Sequence, residues 1–232
     1  MRTLGNFRGM SVTIPHKIEV MSHVDEISAT DRAIGSINTV ICDNGKLIGL
    51  GTDGPGALKA LTDAEVEMNG KTVLMLGCGG AARAIAFTLA NQTELAELVM
   101  LDIDEQLLQG LSADLRNGTD KQISSAIMNE TSIADAMAKA DVIVHCTPIG
   151  MHPKEDATLV PAELFRNGQV VFDVVYNPLE TRLLREAKAA GCATISGVEM
   201  FINQAILQFE QFTGIAAPTE VMRQVVLKEL GV

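Results

Sequence analysis

In the second half of the chain, apolar residues fall in short unbroken runs, each followed by a longer stretch where they recur every three or four positions. The runs 72–76, 98–101, 141–145, 169–174 and 193–195 read as strands buried on both faces. Helical spacing begins near Ala81 and returns at 105–115, 133–139 and 180–190, the last closed by Gly191. Strand and helix in alternation predict an α/β fold, with a Rossmann-like, doubly wound parallel sheet.

The first sixty residues follow a different rhythm. A strand is expected over 10–14, ended by Pro15, which has no N–H for a ladder. Helical patterning follows over 18–24 and 31–33, then a strand over 35–41. Asn44-Gly45 is a two-residue hairpin signal, and 46–50 would be the returning strand. The glycine-rich run 51–56 leaves the sheet, with Pro55 suited to the first turn of a helix over 57–61. A boundary between Leu61 and Asn69 makes this a smaller α/β domain, and helices over 199–212 and 219–230 close the chain.

Composition narrows the partners. A formal net charge of −11 argues against nucleic acid, and a single Tyr with no Trp removes a base-stacking platform. No apolar run of membrane-spanning length is free of Gly or charge, and the first ten residues lack the apolar core of a secretion signal. Cys42, Cys78, Cys146 and Cys192 are scattered, with no His at ligand spacing. No metal site is expected, and reduced thiols in a cytoplasmic protein are the reading adopted.

The chemistry centres on 71–86, KTVLMLGCGGAARAIA. It runs from strand through a glycine turn into helix, the setting in which G-x-G-x-x-G/A binds a dinucleotide. Gly77 would take the turn, Gly79 would let backbone approach a pyrophosphate, and Ala82 would allow close helix packing. A tight turn with no ligand has the same pattern. Asp102 ends the next strand, where a carboxylate can accept both ribose hydroxyls. It would repel a 2′-phosphate, so NAD is expected in place of NADP, although an Asp that merely caps a helix is the same residue type. Lys17 and Asp53 each follow a short strand and a turn. A Lys held beside a carboxylate can move a proton to or from a hydroxyl while hydride is transferred.

Seven ordered blocks, GMSVTIPHK, IGSINTV, GTDGPG, GCGGAARA, CTPIGM, DVVYNPLETRLLREAKAAG and GVEMFINQAILQFEQFTG, resemble the shikimate/quinate dehydrogenase family over nearly the whole chain. The resemblance implies hydride transfer between a nicotinamide cofactor and a ring hydroxyl of shikimate or quinate, with Lys17 and Asp53 as the catalytic pair. It implies substrate contacts from Thr13, Asn38, Tyr176 and Gln204. It implies cofactor contacts from Gly77, Gly79, Gly80, Ala81, Thr147, Gly150, Met151, Val174, Gly197 and Met200, beside Asp102. Residues 1–62 would be the substrate domain, completed by 199–232, and 63–198 the dinucleotide-binding domain.

Three departures from the family pattern stand out. Asp102-Ile103-Asp104 replaces the Asn-Arg-Thr run of NADP-using members, which resembles the NAD-using branch. Ser11 and Gly51 stand where the family usually has Asn; Ser keeps a hydrogen-bonding side chain and Gly does not. The family's first βα units, with two serines that grip the substrate carboxylate, should precede Gly9, and only eight residues do. The expectation is an N-terminally truncated substrate domain whose open edge a second copy could cover as a homodimer. A catalytically weak or inactive dinucleotide-binding paralogue is the alternative.

Overall fold

The structure is a computed structural model and describes residues 2–13 and 15–231. Two sheets organise it. The first contains β1 (Gly9–Ser11), β2 (Glu26–Ile27), β3 (Thr39–Asp43) and β4 (Lys46–Leu50), in the order β1-β3-β4-β2. β3 pairs antiparallel with both β1 and β4, whereas β2 joins β4 in parallel. The hairpin falls where Asn44-Gly45 predicts it, with Asp43 opposite Lys46 and positive φ at both turn residues. α1 (Ala29–Ile34) precedes β3; the Ser28 side chain caps its start, and left-handed Gly35 ends it.

α2 (Asp53–Asp63) leaves β4 and leads to the second sheet. There β5 (Thr72–Leu76), α3 (Gly80–Gln92), β6 (Glu97–Asp102), α4 (Glu105–Gly118), β7 (Gln122–Ile127), α5 (Glu130–Met137) and β8 (Val142–His145) follow in turn, then β9 (Val170–Asp173), α6 (Arg182–Ala189) and β10 (Ala193–Ile195). All six strands are parallel, in the order β10-β9-β8-β5-β6-β7. The order reverses between β5 and β8, so a crevice opens beyond their C-terminal ends, where Gly77 and Cys146 begin their loops. The central strands bury both faces, with Leu74, Met75, Leu76, Val144 and Phe172 fully enclosed, as unbroken apolar runs require.

α7 (Gly197–Thr213) and α8 (Thr219–Glu229) complete the chain, and α2 lies between α3 and α7. Glycines make that sandwich possible. A Cβ on Gly54 would sit 2.0 Å from Thr88 Oγ1 and 2.6 Å from the Ala84 carbonyl oxygen on α3. One on Gly56 would sit 2.9 Å from the Gln204 backbone nitrogen on α7. Gly54, Pro55 and Gly56, read from the sequence as the exit from a sheet, therefore form the first turn of α2. Glycine is a poor helix former, and here close approach on two sides offsets that weakness.

Other differences have local causes. The segment 18–24 forms a short 3-10 helix, Glu19–His23, that buries only Val20. β1 is shorter than the strand expected over 10–14, and Ile14 lies outside the described residues. β7 escapes the periodicity because QISSAI is an edge strand with two serines and one buried side chain.

Gly54→Ala should lower unfolding free energy by about 2–3 kcal/mol in urea titrations, because the methyl meets backbone and a short side chain on α3. As a control, Gly110→Ala, with open space around its Cβ on α4, should be neutral or stabilising.

Candidate active site

The end of the loop before β3 and the start of α2 bring polar side chains together. Asn38 is 3% exposed, and its amide nitrogen donates to Thr52 Oγ1 at 3.0 Å and Asp53 Oδ1 at 3.0 Å. Its amide oxygen accepts the Thr52 N–H at 2.8 Å and the Thr39 hydroxyl at 3.0 Å. Lys17 Nζ donates to the other Asp53 oxygen at 2.7 Å, with both side chains partly open to solvent. Gln204 reaches in from α7, its Oε1 3.5 Å from Asn38 Nδ2 and from Thr52 Oγ1. Asp53 thus has one oxygen on an amide and one on an ammonium, which fixes both its position and that of Lys17.

Lys17, Asn38, Asp53 and Gln204 line a cavity of about 550 Å³ together with Thr13, Ala81, Val174, Tyr176, Gly197 and Met200. Ser11 joins them: its hydroxyl donates to Gln208 Oε1 at 2.6 Å, and Gln208 Nε2 donates to Thr39 Oγ1 at 2.9 Å. At Gly51 the backbone N–H donates to Asp31 Oδ1 at 3.0 Å, and a Cβ there would stand 2.7 Å from that oxygen. The missing side chain leaves room for the Asp31 carboxylate, whose pKa burial raises while the Ser28 and Gly51 hydrogen bonds pull it back.

A second cavity, about 490 Å³, adjoins the first through Lys17 and Ala81 and runs over Cys78, Gly79 and Gly80. Gly77 has φ +99, and a Cβ on it would lie 2.9 Å from Thr147 Cγ2 and 3.0 Å from the Cys146 carbonyl oxygen. Gly79 and Gly80 face open space that side chains would fill, at the N-terminus of the thirteen-residue α3. That cradle of backbone N–H groups and positive helix end fits a pyrophosphate.

A third cavity, about 340 Å³, continues past Thr147 and Met151 and shares Val174 and Tyr176 with the first. Gly150, at φ +84, turns the loop beside it. A buried network supports this wall. His145 Nδ1 lies 2.8 Å from Asp173 Oδ1 and its Nε2 meets the Thr147 hydroxyl, while the Thr181 hydroxyl donates to Asp173 Oδ2 at 2.6 Å. Sequence reasoning missed His145, Asp173, Thr52, Phe201 and Gln208. Asp173 carried the one visible signal, a lone carboxylate inside an apolar run.

Asp102 ends β6, as expected, but its carboxylate is turned to the protein's own backbone. It is 8% exposed and lines none of the three cavities. One oxygen accepts the Cys78 N–H at 2.6 Å and the other the Asp104 N–H at 2.8 Å. The carboxylate braces the glycine turn and the entry to α4, where the Asp104 side chain is the cap.

Family models match at both ends of the chain. Residues 1–40 match the shikimate dehydrogenase substrate binding domain, and residues 197–227 the shikimate 5'-dehydrogenase C-terminal domain. Residues 71–175 match the NAD binding domain of lactate/malate dehydrogenase. A relative from Desulforamulus reducens, named shikimate dehydrogenase (NADP(+)), is 37% identical over 97% of this chain and 78% of its own length. The chain belongs to the shikimate dehydrogenase family.

Solved shikimate dehydrogenases share its fold. The enzyme from Listeria monocytogenes, in complex with shikimate and NAD, superposes with TM-score 0.90 at 30% identity, covering 95% of this chain and 78% of that one. The enzyme from Thermus thermophilus, in complex with NADP(H) and shikimate, gives 0.84 at 32% identity, covering 98% and 80%. The expectation of NAD is corrected by these relatives: curated shikimate dehydrogenases at 36–40% identity carry NADP(+) in their names. The physical reason lies in Asp102. Its charge serves the protein's own backbone, so its place at the end of β6 is no evidence of a ribose clamp.

Burial, and secondarily the charge of Asp102, push the Cys78 thiol up to about 12. Iodoacetamide at about pH 8 should therefore leave Cys78 unmodified in the native protein and alkylate it once urea unfolds the chain, as read by peptide mass spectrometry.

Proposed function

We propose that the protein interconverts shikimate and 3-dehydroshikimate, with Lys17 and Asp53 handling the proton and NADP, as named for the relatives, as cofactor. The single observation behind this reading is the Lys17–Asp53–Asn38 cluster at 2.7–3.0 Å, beside a cavity that adjoins the glycine cradle. The dinucleotide, when bound, supplies or accepts the hydride; Gly79, Gly80 and Ala81 would hold its pyrophosphate, and Thr147, Gly150 and Met151 would border the nicotinamide.

The chain's own groups do the remaining work. In the reducing direction the Lys17 ammonium donates a proton to the substrate oxygen as negative charge grows there; in the oxidising direction the amine takes it back. Asp53 holds Lys17 at that oxygen and, through its second oxygen, is itself held by Asn38. Thr13, Asn38 and Gln204 offer neutral hydrogen-bonding groups to a polyhydroxy ring, in a cavity whose remaining wall is largely apolar.

Initial rates of shikimate oxidation with NADP test the reading directly, with quinate as the comparison substrate. Turnover of shikimate is expected, and Lys17→Ala should cut kcat by about 10²–10⁴-fold while leaving the thermal midpoint nearly unchanged. A wild-type protein that binds NADP and turns over neither acid would refute it.

A further inference from the structure

Tyr176 and Phe201 form an aromatic pair at the mouth of the site, with ring centroids 4.9 Å apart and planes inclined by 23°. They come from different parts of the fold. Tyr176 lies in the loop after β9, on the dinucleotide side, and Phe201 on α7, which packs against α2. Both rings are partly exposed, 46% and 38%. Stacked aromatic pairs of this kind add a specific attraction to the area they bury.

The positions of the two rings relative to the cavities differ. Tyr176 lines both the cavity that holds Lys17 and the one that holds Thr147, so it stands where the two meet. Phe201 lines only the first. Among the described residues the Tyr176 hydroxyl has no hydrogen-bond partner, and the backbone on either side of it lies outside helix and strand. The hydrogen-bonding network of Asp173 ends at Val175 N–H, one residue short of Tyr176. Among the described residues the stacked contact with Phe201 is thus the specific interaction that the Tyr176 ring makes.

We propose that Phe201 is a positioning residue for the reaction. It props the Tyr176 ring upright between the two cavities, so that the free hydroxyl is presented to the acid substrate beside Lys17. The inference rests on the proposed shikimate dehydrogenase activity and adds to it a residue that touches the substrate's partner side chain rather than the reacting atoms. A hydroxyl presented in this way binds ground state and transition state alike, so a residue that props it moves KM more than kcat.

The composition of the chain supplies a clean probe, because Tyr176 is its one tyrosine and there is no tryptophan. The near-ultraviolet circular dichroism of that tyrosine reports the ring's fixed environment in the free protein, with no need for activity. Phe201→Ala should lose most of the tyrosine band while far-ultraviolet dichroism and the thermal midpoint stay close to wild type. The same variant should raise KM for shikimate about fivefold to tenfold, with kcat within about twofold. Phe201→Tyr should keep KM near the wild-type value, since a second ring can stack, whereas Phe201→Leu, apolar but not aromatic, should not. An unchanged tyrosine band and KM in Phe201→Ala would overturn the proposal, as would a KM in Phe201→Leu equal to that in Phe201→Tyr. If the band changes in Phe201→Ala but the wild-type protein oxidises no shikimate, the activity reading has failed and the propping contact has not.

Discussion

The site depends on the side chain of one buried asparagine. Asn38 stands just before β3, and its amide reaches the last residue before α2, the first residue of α2 and the middle of α7. It donates on one side and accepts on the other, so three segments distant in sequence share one set of hydrogen bonds. In a nearly water-free position, an unpaired member of such a network carries a full desolvation penalty, which makes the arrangement all or none. Asp53 inherits its orientation from this amide, and Lys17 inherits its own from Asp53.

The parallel sheet was legible because its strands are buried on both faces and its helices are amphipathic. Residues 72–76 and 193–195 were readable to the residue. β7 was not, since an edge strand with serines has little apolar patterning to show. Legibility failed in a different way at Gly54-Pro55-Gly56. A run of glycine and proline signals a turn by propensity, and only the closeness of α3 and α7 explains why it is helix. Tertiary contact overrode local preference there.

Site residues followed the same division. Lys17, Asp53, Asn38 and Gln204 were marked by the motifs that contain them, and the fold brings them to one cavity. The buried support behind them was not marked. Asp173, Thr181 and Gln208 lie within the same family-like blocks, yet nothing local sets them apart there; their partners His145 and Thr39 stand 28 and 169 residues away and are visible only in the fold. The step from Asp102 to NAD is the instructive error. A carboxylate at a strand end has one sequence signature whether it faces a ligand or its own backbone, and only the 2.6 Å contact with Cys78 N–H separates the two.

The paired glycines of α2 bear on modularity. Dinucleotide-binding sheets of this kind are often regarded as interchangeable cassettes, joined to whatever domain carries the substrate. In this protein the helix that begins with Asp53 meets α3 at Gly54, where the Ala84 carbonyl and the short Thr88 side chain leave no room for a Cβ and little slack to absorb a mismatch. A transplanted sheet would have to present the same shallow groove at Ala84 and Thr88, or Asp53 and the Lys17 bonded to it would be displaced along with the helix. The joint between the two sheets is thus tightly specified, and it limits which partner sheet the first sixty residues can be joined to.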